Sequence, residues 1–202
     1  MRRPRARCSE VPRKIPGSTR LRRAAESASQ GERGSGGGID AVNQVVESRF
    51  FEIDAELRFE SPRLVEFVRY WEGKRRAPAL PARADIDALE MKRFLGDVFM
   101  LDVVGDPPRF RYRLVGVNIV RGVGRDSTGR FQDEVYPAQQ AAENAAHYRW
   151  ICAHRRPTRN FGVINWVGRH HLRYEIANLP LARDGATVDI ILGCMVVAPV
   201  PA

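Results

Sequence analysis

LPARADIDALEMKRFLGDVFMLDVVGDPPRFRYRLVGVNIVRGVGRDSTGR, residues 80–130, is the stretch on which the fold turns. Its centre, 97–104, is an apolar run of strand length, closed by the turn signal Gly105-Asp106-Pro107-Pro108. Residues 109–115 then alternate, with Phe110, Tyr112 and Leu114 on one face and Arg109, Arg111 and Arg113 on the other. Period-two alternation marks a strand that is buried on one side and wet on the other. Two such strands joined by a short Gly/Pro turn predict an antiparallel hairpin.

Working outward, 116–124 is apolar but holds Asn118 and Arg121; it is too short for a long helix and too broken for a strand. Residues 124–129, GRDSTG, form a turn cluster in which Asp126, Ser127 and Thr128 can bond backbone N–H groups. The cluster lacks the Lys-Ser/Thr ending of a phosphate loop. The longest helix is expected to open at Pro137 and stop before Pro157, with Ala141, Ala145, Tyr148 and Cys152 on one face and Trp150 and Ile151 beside it. Three strands follow, at 158–166, 170–181 and 187–197, with turns at Gly168-Arg169 and Asp184-Gly185. In the last of them Val188, Ile190, Leu192, Cys194 and Val196 share a face.

Upstream, Asp87 to Glu90 has capping-box spacing, and Ile86, Leu89, Phe94 and Leu95 offer an apolar side, which predicts a helix of two or three turns ending near Gly96. Ser61-Pro62 is a helix start, and Leu64, Phe67, Val68 and Trp71 follow the spacing of one helical face, with Gly73 as its stop. So short and one-sided a helix has to dock, either on its own domain or on a second copy of the chain. The organisation expected is a disordered tail (1–38), a lead-in with the apolar knot Phe50-Phe51-Glu52-Ile53 (39–60), N-terminal helices (61–96) and the sheet-bearing domain (97–199).

The net charge of +9 suggests a nucleic-acid partner until it is located. Residues 1–38 carry ten Lys/Arg and three acids, whereas 39–202 carry 23 and 21, so the globular part is nearly balanced. The tail is rich in Arg, Pro, Ser and Gly and too poor in apolar groups to offset its ordering entropy. A nucleic-acid-associated protein using this tail is therefore the alternative reading, not the leading one. A start near Val42 or Val45 would remove the tail altogether. Cys8, Cys152 and Cys194 stand apart, as in a reduced, cytoplasmic protein. No apolar run approaches the ~18 residues of a membrane span.

Candidate chemistry thins out on inspection. His147 and His154 lie about 10 Å apart along the long helix, too far to share a metal. His170 and His171 point to opposite faces of a strand. Ser127 has no nucleophile context, Cys152 reads as a small core residue, and Asp85 and Asp87 suit capping. No nucleophile, base and orienting group come together, so neither an enzyme nor a metal site is expected.

The order of strand, strand, short helical region, long helix and three strands gives an α+β chain. It resembles the PAS domain family, and in particular a bacterial stand-alone subfamily, through LPARADID (80–87), FRYRLVG (110–116) and GRDSTGR (124–130). The resemblance covers roughly 61–199. It implies a PAS-like five-stranded antiparallel sheet with helices between strands 2 and 3, preceded by N-terminal helices. It also implies a sensory or protein-interaction module without catalytic output, acting on a small-molecule ligand, a signalling partner or a second copy. No attached output module is expected after the last strand. Haem-binding members place an axial histidine on the long helix, but an ordinary surface histidine is the better reading here and no cofactor is expected.

The implied cavity lies between the sheet and the helices. Phe110, Tyr112 and Leu114 would line it, with Tyr174, Ile176, Ile190 and Leu192 across the sheet. Val117, Ile119, Phe131, Tyr148 and Ile151 would close it, and Asn118 is the polar residue to watch. Such a set suits a small apolar ligand, or else simply fills the space as core.

Overall fold

The computed structural model describes Ser48, residues 51–164 and residues 168–200. The tail, half of the lead-in including Phe50, and Trp166 lie outside the described residues.

The hairpin forms as expected, from β2 (Val98–Val104) and β3 (Arg109–Val115). Strands β4 (Thr158–Ile164), β5 (Arg169–Leu181) and β6 (Ile190–Pro199) complete the core of an all-antiparallel sheet, with β6 paired to β2. Among the described residues the sheet has six strands, not five. Glu52–Asp54 forms β1 and pairs with β4, because Phe51 beside it buries its ring and leaves Glu52 outside. The strand order is β1-β4-β5-β6-β2-β3. The far edge, at β3, is covered by its own chain: the Tyr112 N–H donates to Arg130 O, and Gly129 N–H to Tyr112 O.

One face of the sheet carries α2 (Val117–Val123), a 3-10 turn at Gln132–Glu134 and α3 (Ala138–His154). Gly124, at φ 86°, ends α2 in the left-handed conformation that glycine accepts without strain. The buried face of α3 holds Gln140, Ala141, His147, Tyr148, Ile151 and Cys152. His147 is thus inside, not the surface histidine expected, because that face is wider than the alanine stripe alone suggests.

The opposite face carries α1 (Pro62–Lys74), whose Leu64, Phe67, Val68 and Trp71 are all buried. The Trp71 indole N–H donates to the Pro180 carbonyl of β5 at 3.1 Å. The apolar stripe of α1 is therefore covered by its own sheet. Three local expectations change. Ser61 makes no side-chain cap, since the Glu175 carboxylate accepts the N–H groups of Glu60 and Ser61 instead, and α1 runs through Gly73 to Lys74. The helix expected at 87–96 is a run of turns ending in a 3-10 segment, Leu95–Asp97. Ile86, Met91 and Phe94 point inward while Leu89 is 79% exposed, so no continuous helical stripe exists to be buried.

A buried ion cluster ties β1 and the start of α1 to this face. Arg159, 6% exposed, donates through Nε to Glu175 at 2.5 Å and lies 3.3 Å from Glu60 and 3.6 Å from Asp54. Asp54 in turn accepts the N–H groups of Glu56 and Arg58. Truncating Glu175 to alanine would leave Arg159 a buried, under-paired cation and free the two amides that Glu175 holds. A loss of about 3 kcal/mol in a urea melt is expected. A change within ~0.5 kcal/mol, as for an ordinary surface site, would show that the cluster is not needed for the fold.

Candidate functional site

The site follows from which side chains alternate onto the helix-covered face. The partners Tyr174↔Val197 and Ile176↔Met195 put Tyr174, Ile176 and Met195 on it, and Asn160 joins them as the partner of Ile176 on β4. Phe99 lies there too, opposite Gly193. A Cβ on Gly193 would overlap the tip of the Phe99 ring, so glycine is what lets the ring reach β6. Gly193→Ala is accordingly expected to push Phe99 out of place and cost about 1–3 kcal/mol, read from a thermal melt. An unchanged melt would mean that the ring does not rest there.

Above this face, the segment after α2 and the first half of α3 close a small cavity. Its lining includes Phe51, Phe99, Tyr112, Val115, Ile119, Val123, Arg125, Ser127, Gln132, Tyr136, Gln140, Asn144, Tyr148, Asn160, Tyr174, Ile176 and Met195. Its volume is about 60 Å³, against the ~300–1,000 Å³ of drug-sized pockets. That leaves no room for a macrocycle such as haem.

Five of the expected lining residues meet here: Tyr112, Ile119, Tyr148, Tyr174 and Ile176. The other eight do not. Ile190 and Leu192 pair with Leu181 and Leu179 on the α1 side, because the partner of Ile176 is Met195 and every second residue of β6 follows it. Leu114 is displaced by a register shift between Met100 and Leu101, which gives Tyr112 and Leu114 adjacent partners on β2. The extra residue breaks the alternation, so Val115 and not Leu114 reaches the cavity. Phe110 and Ile151 are core, with the Phe110 ring 5.1 Å from that of Tyr148. Val117 is exposed, and the Arg109 guanidinium lies 3.9 Å over the Phe131 ring. Asn118 points outward and donates to Asp97 at 2.8 Å.

The polar residues that do line the cavity were missed by sequence reasoning. Arg125, Ser127, Gln132 and Tyr136 lie on an irregular segment where no periodicity assigns a face, while Gln140, Asn144 and Asn160 are polar side chains turned inward. One signal was available: in β4, Thr158 and Asn160 are alternate polar residues, both buried.

The electrostatics are lopsided. The lining contains one guanidinium and no carboxylate. Arg125 lies 5.3 Å from the centre of the Tyr136 ring and, among the described residues, forms no ion pair. Its Nε and the Gln132 Oε1 are both buried without a hydrogen-bond partner. Buried polar atoms are nearly always paired, so two orphans on one cavity call for an explanation. The surrounding tyrosines are held neutral: burial pushes the Tyr112, Tyr148 and Tyr174 hydroxyls well above their ordinary range.

A polar chain leads from the cavity into the core. Asn178 donates to Asn160 at 2.6 Å and, more weakly, to the Thr158 hydroxyl, which lies 2.8 Å from His147 Nε2. Burial lowers the His147 imidazole to about 3, so it is neutral near pH 7. His154 instead stacks on Trp150, its Nδ1 2.9 Å from the Trp150 carbonyl. Burial pushes the Cys194 thiol up to about 12, far from a reactive thiolate. Among the described residues no cluster of three or more His, Cys, Asp or Glu could hold a metal. The lining brings a guanidinium, hydroxyls and side-chain amides together around one small space.

A family model described as PAS domain matches residues 59–196. No curated protein and no solved structure matches the chain.

Proposed function

The chain belongs to the PAS domain family, and on that premise we propose that it is a sensor whose signal is occupancy of the cavity between sheet and helices. The observation that carries this reading is the pair of unpartnered buried atoms, Arg125 Nε and Gln132 Oε1, on one cavity wall. Of the four buried side-chain atoms without a partner among the described residues, these two share one cavity, while Asn178 Oδ1 and Asp189 Oδ1 lie away from it. The ligand differs from the small apolar one suggested by the sequence, because about half of the lining side chains carry polar groups. The module has no catalytic output of its own. Occupancy is passed on by contact with a partner protein, a second copy of the chain included, through surfaces other than the α1 stripe, which is buried in the domain. Among the described residues no helix is long and apolar enough to cross a membrane.

Thermal melts of the full chain against a library of small metabolites test this. At least one compound should raise the melting temperature of the wild type and fail to do so for Ile176→Phe, which fills the cavity. A library without a hit, or hits that ignore Ile176→Phe, would remove the sensory reading.

A further inference from the structure

We propose that the cavity is a site for a short hydroxycarboxylic acid, its carboxylate on Arg125 and its hydroxyl on Gln132. The inference deepens the sensory reading above and rests on it. Gln132 is only 3% exposed, and its Oε1 is an acceptor without a donor. Arg125 Nε is a donor without an acceptor. A ligand that completes both must bring an acceptor to one and a donor to the other.

The acceptor is anionic. A guanidinium with no carboxylate among the described residues as partner is matched best by a planar carboxylate. The donor is a hydroxyl and not an ammonium, since no acidic side chain lines the cavity to balance a second cation. Size sets the length. A cavity needs roughly 10–15 Å³ to hold a single water. The volume of about 60 Å³ therefore admits on the order of four to six non-hydrogen atoms. Phe99, Ile119, Ile176 and Met195 supply the apolar wall for a short alkyl group.

The test uses the full chain and four additives at ~10 mM: L-lactate, propionate, 1,2-propanediol and sodium chloride. Lactate should raise the melting temperature by about 3 °C or more, propionate by less, and the diol and the salt not at all. Arg125→Gln should abolish the lactate response yet melt, without ligand, close to the wild-type temperature, because among the described residues it breaks no ion pair and gives up only the contact with Tyr136. Gln132→Leu should bring lactate down to the propionate level. The proposal is overturned if the diol equals lactate, if Arg125→Gln keeps the response, or if Arg125→Gln melts far below the wild type, which would make Arg125 a residue of the fold. If an uncharged library compound binds in a way that Ile176→Phe blocks while lactate does not bind, the sensory reading stands and the acid falls.

Discussion

Replacing Trp71 by alanine is expected to cost about 3–5 kcal/mol, enough to leave little of the stability of a typical domain. The side chain is fully buried between α1 and the sheet, so its removal opens a cavity that the surrounding residues fill only in part. It also strips the Pro180 carbonyl of the indole N–H that it accepts. Urea denaturation is the measurement, with Leu89→Ala as the companion, because Leu89 is 79% exposed and should shift by no more than ~0.5 kcal/mol. If the two variants behave alike, α1 is not docked as described.

Acidification should destabilise the protein through one histidine. The unfolded chain protonates His147 near 6.5, whereas burial holds the folded imidazole near 3. Between those values the unfolded state carries the extra proton, so stability is complete above about 6.5 and falls as the pH drops, by about 1.4 kcal/mol per unit. From pH 7 to pH 5 the loss is about 2 kcal/mol. Of the two carboxylates, Asp189 is raised by burial, so its folded form takes up a proton first and works against this loss, while Asp54 titrates below its ordinary value because amide bonds outweigh its burial. Melts of the wild type and of His147→Phe at the two pH values decide the matter. The variant gives up the contact with Thr158 but should show a much flatter dependence, and equal slopes would assign the acid sensitivity elsewhere.

The architecture was legible because it rests on periodicity. The alternation of 109–115 identified β3 and turned Tyr112 inward, and the stripe from Leu64 to Trp71 identified α1 and its buried face. The site was less legible for three physical reasons. An added residue opposite Met100 and Leu101 reverses the faces at the end of β3, and bulges leave no mark in an apolar sequence. β6 is buried on both faces, so nothing in IILGCMVV says whether Leu192 or Met195 meets the cavity; only the pairing with β5 does. The polar wall comes from Arg125 to Tyr136, where a buried Gln132 and an exposed Asp133 are neighbours and no repeat connects them. The short β1 was hidden likewise, since three residues are too few for a pattern.

That small strand has a practical consequence for anyone cutting the gene. The family likeness begins at residue 59, and a fragment started there would discard Glu52–Asp54. It would bare the flank of β4, where unpaired amides and carbonyls make a template for any passing strand. It would also remove Asp54 from beside Arg159. Such a fragment should associate edge to edge or precipitate, while one beginning before Phe51 stays monodisperse by light scattering. The unit that behaves well in a test tube is thus set by hydrogen bonds left open at a border, and it is longer than the unit that kinship outlines.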